Sequence, residues 1–384
     1  MSPTVSTQTP ALANLRKRFA GLVILFTPML GVGFFWLRSW WGLEYALRWL
    51  VLASGAWVYL IWRFWLALEQ NHPPGGERLL PTLGIANSLS IWRGLLMAFL
   101  AGFLLSPQPP GWRAWVPGLL YTFASLPDYL DGYLARVSGQ VTRLGETLDL
   151  TVDSLGVLVS TLLAAQYGRV PAWFILTGLA RYLFLGGLWL RERLGKPVYE
   201  LPYSSRRRGF AALQVGFTFV ILYPAFSPPG THIAAACFGI PTLLSFAWDW
   251  LIASGAIPPD SGARFPKLKE ISLRWIPLGL RLAAVVLTIF SLTNFTGSTA
   301  SRPLYLTSLF VLVLVMLTLG VLGRSAALAG LIALGLQQNL APLSALQFIL
   351  IPIYTALLYL GSGALSLWPL EDRWVYQRAG ERGP

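Results

Sequence analysis

Long unbroken apolar runs alternate with short polar breaks along nearly the whole chain. A hydrocarbon layer about 30 Å thick takes roughly 20 residues of α-helix to cross. Twelve runs approach that length, near 19–37, 46–67, 88–105, 112–130, 146–166, 171–190, 209–226, 232–255, 273–293, 304–322, 325–338 and 345–367. The run at 325–338 is short and could be re-entrant. The runs are continuous rather than alternating, which predicts helices and argues against a membrane β-barrel. QNHPPGGERLLP follows the second run with the Pro and Gly of a break, and PPDSGARFPKLKEIS follows the eighth. These linkers divide the chain into a two-span extension (1–75), a six-span segment (76–257), a linker (258–272) and four weaker spans (273–384). The expected fold is an all-α polytopic membrane protein.

Composition sharpens this picture. Residues are 55% hydrophobic and only 12% charged, about half the charged share of soluble domains. The 17 Trp and 14 Tyr suit interfacial belts. A net charge of +13 raises the question of nucleic acid. The basic residues lie mainly in short loops between spans, however, so topology uses them and no nucleic-acid partner is expected. With the N-terminus inside, the inner loops hold Arg78, Arg136, Arg143, Arg191, Arg193, Lys196, Arg206, Arg207, Arg208, Arg264, Lys267, Lys269 and Arg324. The outer loops hold Arg38, Arg113, Arg169 and Arg302. This positive-inside pattern predicts a multi-pass protein of the plasma or inner membrane with both termini cytoplasmic. Arg16, Lys17 and Arg18 precede a long span without a small-residue cleavage site, so no signal peptide is expected. The single cysteine, Cys237, rules out an intrachain disulfide and reads as a small buried hydrophobe. His72 and His232 lie near span ends and suggest no site.

One stretch resists the apolar pattern. DYLDGYLARVSGQVTRLGETLDLTVD, from Asp128 to Asp153, carries four aspartates, a glutamate and two arginines. Asp128 and Asp131 are three apart at the inner end of one span; Asp149 and Asp153 are four apart at the start of the next. Residues at those spacings share a helix face, so each helix presents two carboxylates. A short connection makes the helices antiparallel neighbours. Four clustered carboxylates repel, and hard divalent cations such as Mg²⁺, Mn²⁺ or Ca²⁺ relieve that. Gly132, Ala135 and Gly145 lie beside the stripes and leave room for a flat ligand, or for close helix packing. Arg136 suits a phosphate, a topology charge or a salt bridge to an Asp.

The spacing D-x2-D-G-x2-A-R-x8-G-x3-D-x3-D, read as Asp128, Asp131, Gly132, Ala135, Arg136, Gly145, Asp149 and Asp153, resembles the complete signature of the CDP-alcohol phosphotransferase family. NSLSIWR, ending at Arg93, is similar to the family's Asn-x-Leu-Thr-x-x-Arg lead-in, with Ser90 in place of Thr. The resemblance covers about 80–255. It implies a six-helix core with two added helices before it and about four after it. It also implies transfer of a phosphatidyl or related lipid-phosphate group from a CDP-linked lipid to an alcohol, with release of CMP. Two ions, Mg²⁺ or Mn²⁺, would be held by Asp128, Asp131, Asp149 and Asp153. Asp153 would be the general base. Asp128, Gly132, Ala135, Arg136 and Gly145 would hold the cytidine diphosphate. The active site would lie at the cytoplasmic face among membrane lipids, and a homodimer is the family's common state.

The span PAWFILTGLARYLFLGGLWLR resembles that of glycerol-phosphate-using members, with Tyr182 where those carry Glu. Arg181 sits at mid-membrane depth, where an arginine is costly and usually functional. Arg181, Arg191 and Arg206, Arg207 and Arg208 are therefore candidate contacts for a phosphorylated polyol acceptor such as glycerol 3-phosphate or inositol phosphate. Arg206–Arg208 serve equally as an anchor on anionic lipid. Residues 273–384 bear a loose resemblance to DoxX-like four-helix membrane proteins, through GRSAALAGLIALGL and LLYLGSGALSLWPLEDRW. Two other functions fit parts of the pattern: a cation transporter using the intramembrane aspartates, and a non-catalytic scaffold. A cation path gains nothing from Arg136 beside the carboxylates, whereas a diphosphate does. A scaffold would tolerate loss of an aspartate, and none is lost.

Overall fold

The structure is a computed structural model that describes residues 5–76, 78–137, 142–202, 204–258, 266–293, 303–368 and 371. Side chains are described throughout these ranges except at 5–9, 127–137, 205, 206 and 266–273. Among the described residues the chain forms α1 (Val5–Phe26), α2 (Pro28–Trp41), α3 (Leu43–Ala67), α4 (Gly84–Ala101), α5 (Val116–Val137), α6 (Arg143–Gln166), α7 (Ile175–Arg193), α8 (Ser205–Ile221), α9 (Gly230–Ala253), α10 (Pro266–Thr293), α11 (Leu304–Leu319), α12 (Gly323–Gln338) and α13 (Ala345–Leu360). Every expected span meets a helix. The first is divided between α1 and α2 at Pro28, whose ring removes a donor and disturbs the preceding turn.

Seven segments among the described residues are long and apolar enough to cross a membrane: Pro10–Trp41, Leu43–Gln70, Gly84–Ala101, Arg143–Gln166, Ala172–Arg193, Gly230–Ala253 and Arg274–Thr293. The other five expected spans are helices of a different make. α11, α12 and α13 have 16 residues each, which at 1.5 Å per residue is about 24 Å, short of the layer. α8 has 17 residues and opens on three arginines. α5 is long enough, but Asp128, Asp131 and Arg136 lie in its second half. The protein is an all-α multi-pass membrane protein.

Two compact units divide after Tyr167. In the first, α4 lies against α3, α5 and α6. Its residues Arg93 to Ala98 are all buried, the mark of a helix covered on every side. Trp49 of α3 locks this packing. Its ring fills notches at Gly33 of α2 and Gly102 at the end of α4, where an added Cβ would stand 2.5 Å and 2.4 Å from ring atoms. Its Nε1 donates to the Phe99 carbonyl at 3.0 Å. In the second unit, α9 packs on α7, α8 and α13, while α13 also packs on α10 and α12. The rings of Phe217 (α8) and Phe238 (α9) stack at 4.8 Å. Gln347 of α13 donates to Ser291 of α10 at 2.6 Å, and Thr288 bonds the Tyr354 hydroxyl at 2.6 Å.

Candidate active site

The polar half of the first unit begins with a buried node. Asn71, just past α3, is fully buried, and its Nδ2 donates to the Leu80 and Thr82 carbonyls at 3.0 and 2.9 Å. Its Oδ1 faces Asn87 Nδ2 of α4 at 3.4 Å, and Asn87 Nδ2 also reaches Thr142 Oγ1 at 3.4 Å. Thr142 is the N-cap of α6 and accepts from the Gly145 N–H at 3.1 Å. Two further ties reach the first turns of α6. The Arg143 N–H donates to the His72 carbonyl at 3.1 Å, and Thr147 Oγ1 donates to Gln70 Oε1 at 2.7 Å. The segment that leaves the N-terminal extension thus sets where α6 begins. Gly145 has a packing reason as well: an added Cβ would stand 2.8 Å from Asn87 Oδ1.

Asn71→Ala takes the side-chain donor from the Leu80 and Thr82 carbonyls and leaves the Asn87 amide only its contact with Thr142. It is expected to destabilise the protein by on the order of 3 kcal/mol. Thermal melting in detergent checks this, and an unchanged midpoint would refute the node's role.

From that start, α6 carries Asp149 and Asp153 on one face, one turn apart. Both meet Arg93. Its Nη1 lies 2.7 Å from Asp149 Oδ1 and its Nη2 2.7 Å from Asp153 Oδ1. Its Nε donates to the Ala124 carbonyl of α5 at 2.9 Å. Arg93 is 1% exposed, while the two carboxylates are 37% and 44% exposed. A buried, planar fork therefore holds two carboxylates whose other sides remain accessible. The pairing also draws α4, α5 and α6 together at one level. Gly156 helps one turn deeper, where an added Cβ would stand 2.8 Å from Met97 Cε of α4 and 3.4 Å from the Tyr121 ring of α5.

The remaining motif residues divide by location. Asp128, Asp131, Gly132, Ala135 and Arg136 all lie in helix α5, but their side chains lie outside the described residues. By helical register, positions 128, 131 and 135 share the face of Ala124, whose carbonyl meets Arg93. Among the described side chains, which do not include those of Asp128 and Asp131, no group of three His, Cys, Asp or Glu is placed to hold a metal. The donors that are described fit a hard cation: carboxylate oxygens on one helix face, pinned on one side and open on the other.

The candidate acceptor arginines belong to the second unit. Arg181 is half-buried in α7 and makes no hydrogen bond or ion pair with a described residue. Arg191 ties the ends of α7 and α9, because its Nη2 donates to the carbonyls of Pro197 and Ser254 at 3.0 and 3.1 Å. Arg207 donates through Nη2 to the Pro202 carbonyl at 2.6 Å. Its Nε lies 3.3 Å from Oδ2 of the buried Asp249, an ion pair without hydrogen-bond alignment. Arg208 is exposed, and the side chain of Arg206 lies outside the described residues. The residue that sequence reasoning passed over is Arg93. It ends NSLSIWR, at the fixed arginine of the lead-in that this run resembles.

Comparison with known proteins bears on this geometry. A family model described as CDP-alcohol phosphatidyltransferase matches residues 83–248, from the start of α4 into α9. A protein of Mycobacterium tuberculosis (strain ATCC 25618 / H37Rv) named "Putative cardiolipin synthase" is 31% identical over 194 residues, which is 49% of this chain and 88% of that protein. The CDP-diacylglycerol--glycerol-3-phosphate 3-phosphatidyltransferase of Cereibacter sphaeroides is 33% identical over 114 residues, 29% of this chain and 50% of that protein. The enzyme of the same name from Yersinia enterocolitica is 34% identical over 121 residues, 30% of this chain and 63% of that protein. No solved structure matches at the same stringency.

Proposed function

Because the chain belongs to the CDP-alcohol phosphatidyltransferase family, and is thus a membrane transferase of phospholipid synthesis acting on a CDP-linked lipid and an alcohol, we propose that its acceptor is an alcohol bearing a phosphate and that the reaction occurs at Asp149 and Asp153. The observation that carries the site is the Arg93 fork, which fixes both carboxylates while leaving them accessible.

The family is divalent-metal dependent. Asp128, Asp131, Asp149 and Asp153 would hold two ions, Mg²⁺ or Mn²⁺, which when bound neutralise the diphosphate and stabilise departing CMP. Charge supports this donor set. Four carboxylates against one Arg93 leave a charge of −3, which two divalent ions turn to +1, the sign a diphosphate requires. Asp153 takes the proton of the acceptor hydroxyl as the new P–O bond forms and the bond to CMP breaks. A carboxylate suffices as the base when proton transfer accompanies bond formation. Asp128, Gly132, Ala135, Arg136 and Gly145 would cradle the cytidine diphosphate.

Arg181 is the favoured acceptor contact, since Arg191 and Arg207 already hold helix ends together. Glycerol 3-phosphate, inositol phosphate and phosphatidylglycerol share the chemistry required, a hydroxyl and a phosphate on one polyol. The names of the relatives, which point to glycerol 3-phosphate and to cardiolipin, favour the two glycerol compounds. The positive-inside pattern supports a cytoplasmic site with both termini on that side, and the family's habit supports a homodimer.

The test is CMP release by purified protein given CDP-diacylglycerol, Mg²⁺ and a panel of these three acceptors beside glycerol, inositol and serine. Release with a phosphorylated acceptor is expected to exceed that with its unphosphorylated counterpart at least tenfold. Equal release, or a preference for the unphosphorylated alcohol, would overturn the assignment.

A further inference from the structure

Within the second unit, α8, α9, α12 and α13 enclose a cavity of about 350 Å³. This lies in the size range of small-ligand pockets. Its walls are almost wholly apolar, with Phe217, Phe238, Leu331, Ile351 and Leu358 among them. Among the described residues three polar side chains line it, and each already has a partner. Ser227 Oγ donates to Asn339 Oδ1 at 2.9 Å, Thr231 Oγ1 donates to the Arg169 carbonyl at 2.5 Å, and Gln338 Oε1 accepts from the Gly230 N–H at 3.1 Å. A space of this kind has little to offer water, and apolar cavities stay dry or take apolar guests. At roughly 30 Å³ per small group, the share of one water in the liquid, it has room for on the order of ten methylene-sized groups.

The cavity is built partly inside and partly outside the family-matched region. α8 and all but the last turn of α9 lie in the family-matched region, whereas α12 and α13 lie beyond its end at 248. Glycines set the shape. At Gly335 of α12 an added Cβ would stand 2.4 Å from the Phe226 ring, so the helix closes tightly on that wall. At Gly216 of α8 an added Cβ would meet nothing within 4 Å, and this lining residue is exposed, as is Leu328 of α12, so the cavity is open along these two helices. A guest must therefore be apolar, slender and at hand in a bilayer. We propose that α8, α9, α12 and α13 form a binding site for one acyl chain of a membrane phospholipid, and that supplying half of this site is what the C-terminal helices add to the family core. The proposal does not depend on the acceptor or on the roles of the aspartates.

The experiment uses full-length protein in vesicles containing phosphatidylglycerol with a photoreactive diazirine on one acyl chain. A second arm uses a free fatty acid carrying the same group. Labelled residues are mapped by mass spectrometry. Labelling of the cavity walls on α8 and α12 by the phospholipid is expected to exceed that of the exposed lipid-facing residues Val32 and Phe35 of α2 at least fivefold. Gly216→Phe, which places a ring in the opening, is expected to cut wall labelling about tenfold, while Gly216→Ala retains it. Should Gly216→Phe fail to fold, competition by excess unlabelled phosphatidylglycerol in the wild type replaces it, with the same tenfold loss expected. Wall labelling no greater than at Val32 and Phe35, labelling indifferent to the ring or the competitor, or labelling by the free fatty acid alone would each overturn the proposal.

Discussion

Arg93→Lys is expected to slow CMP release about a hundredfold or more while leaving the protein folded. Lysine keeps the positive charge but not the fork. One ammonium at the end of a flexible stem cannot reach Asp149, Asp153 and the Ala124 carbonyl together, as the guanidinium does at 2.7, 2.7 and 2.9 Å. The carboxylates would then drift, and displacements of about 1 Å at a reacting group cost on the order of 100-fold in rate. Arg93→Ala goes further. It strands two carboxylates beside a buried void, a loss of about 2–3 kcal/mol once their partial exposure is allowed for. Steady-state CMP release, read beside thermal melting, separates the two effects. Wild-type turnover in Arg93→Lys would remove Arg93 from the positioning of the site.

Asp153→Asn is expected to lower turnover by about 10²–10⁴, the contribution typical of a general base, with CDP-diacylglycerol binding largely kept. Asparagine has the same shape, and its carbonyl oxygen can still accept from Arg93 Nη2, so the local fold survives. It cannot take a proton. Asp149→Asn is expected to differ: proposed as an ion ligand and not as the base, it should weaken the apparent Mg²⁺ affinity and regain much of its turnover at high Mg²⁺, whereas Asp153→Asn, which loses a ligand and the base together, should stay slow at saturating Mg²⁺. Titration of CMP release against Mg²⁺ for both variants makes the distinction. Unchanged turnover in Asp153→Asn would remove it as the base and reopen the cation-path reading of the aspartates.

Much of this protein is legible in one dimension. Apolar runs near 20 residues can only be helices in or against a membrane, because lipid leaves backbone groups no other partner. The aspartates at i, i+3 and i, i+4 announce two stripes because helical period alone puts such residues on one face. The motif spanning Asp128 to Asp153 was readable for the same reason, since its spacings are short and local.

The lengths of the shorter helices were less legible. Hydropathy reads composition, while α11 and α13 end where Gly320 and Gly361 turn the chain. Least legible were the pairings. Arg93 lies 56 and 60 residues from its two carboxylates. Arg136 lies among the aspartates in sequence, where a phosphate, a topology charge or a salt bridge to an Asp each fit it, and its side chain lies outside the described residues. Arg191 and Arg207 stand with Arg181 among the candidate phosphate contacts, and the fold adds carbonyl partners to both and Asp249 to Arg207. Gly145 read as room for a ligand, and the fold gives it Asn87 to accommodate as well. Local period determines which residues share a helix face. Which face meets which depends on packing between helices distant in sequence, and the tertiary structure therefore decides which arginine meets which carboxylate.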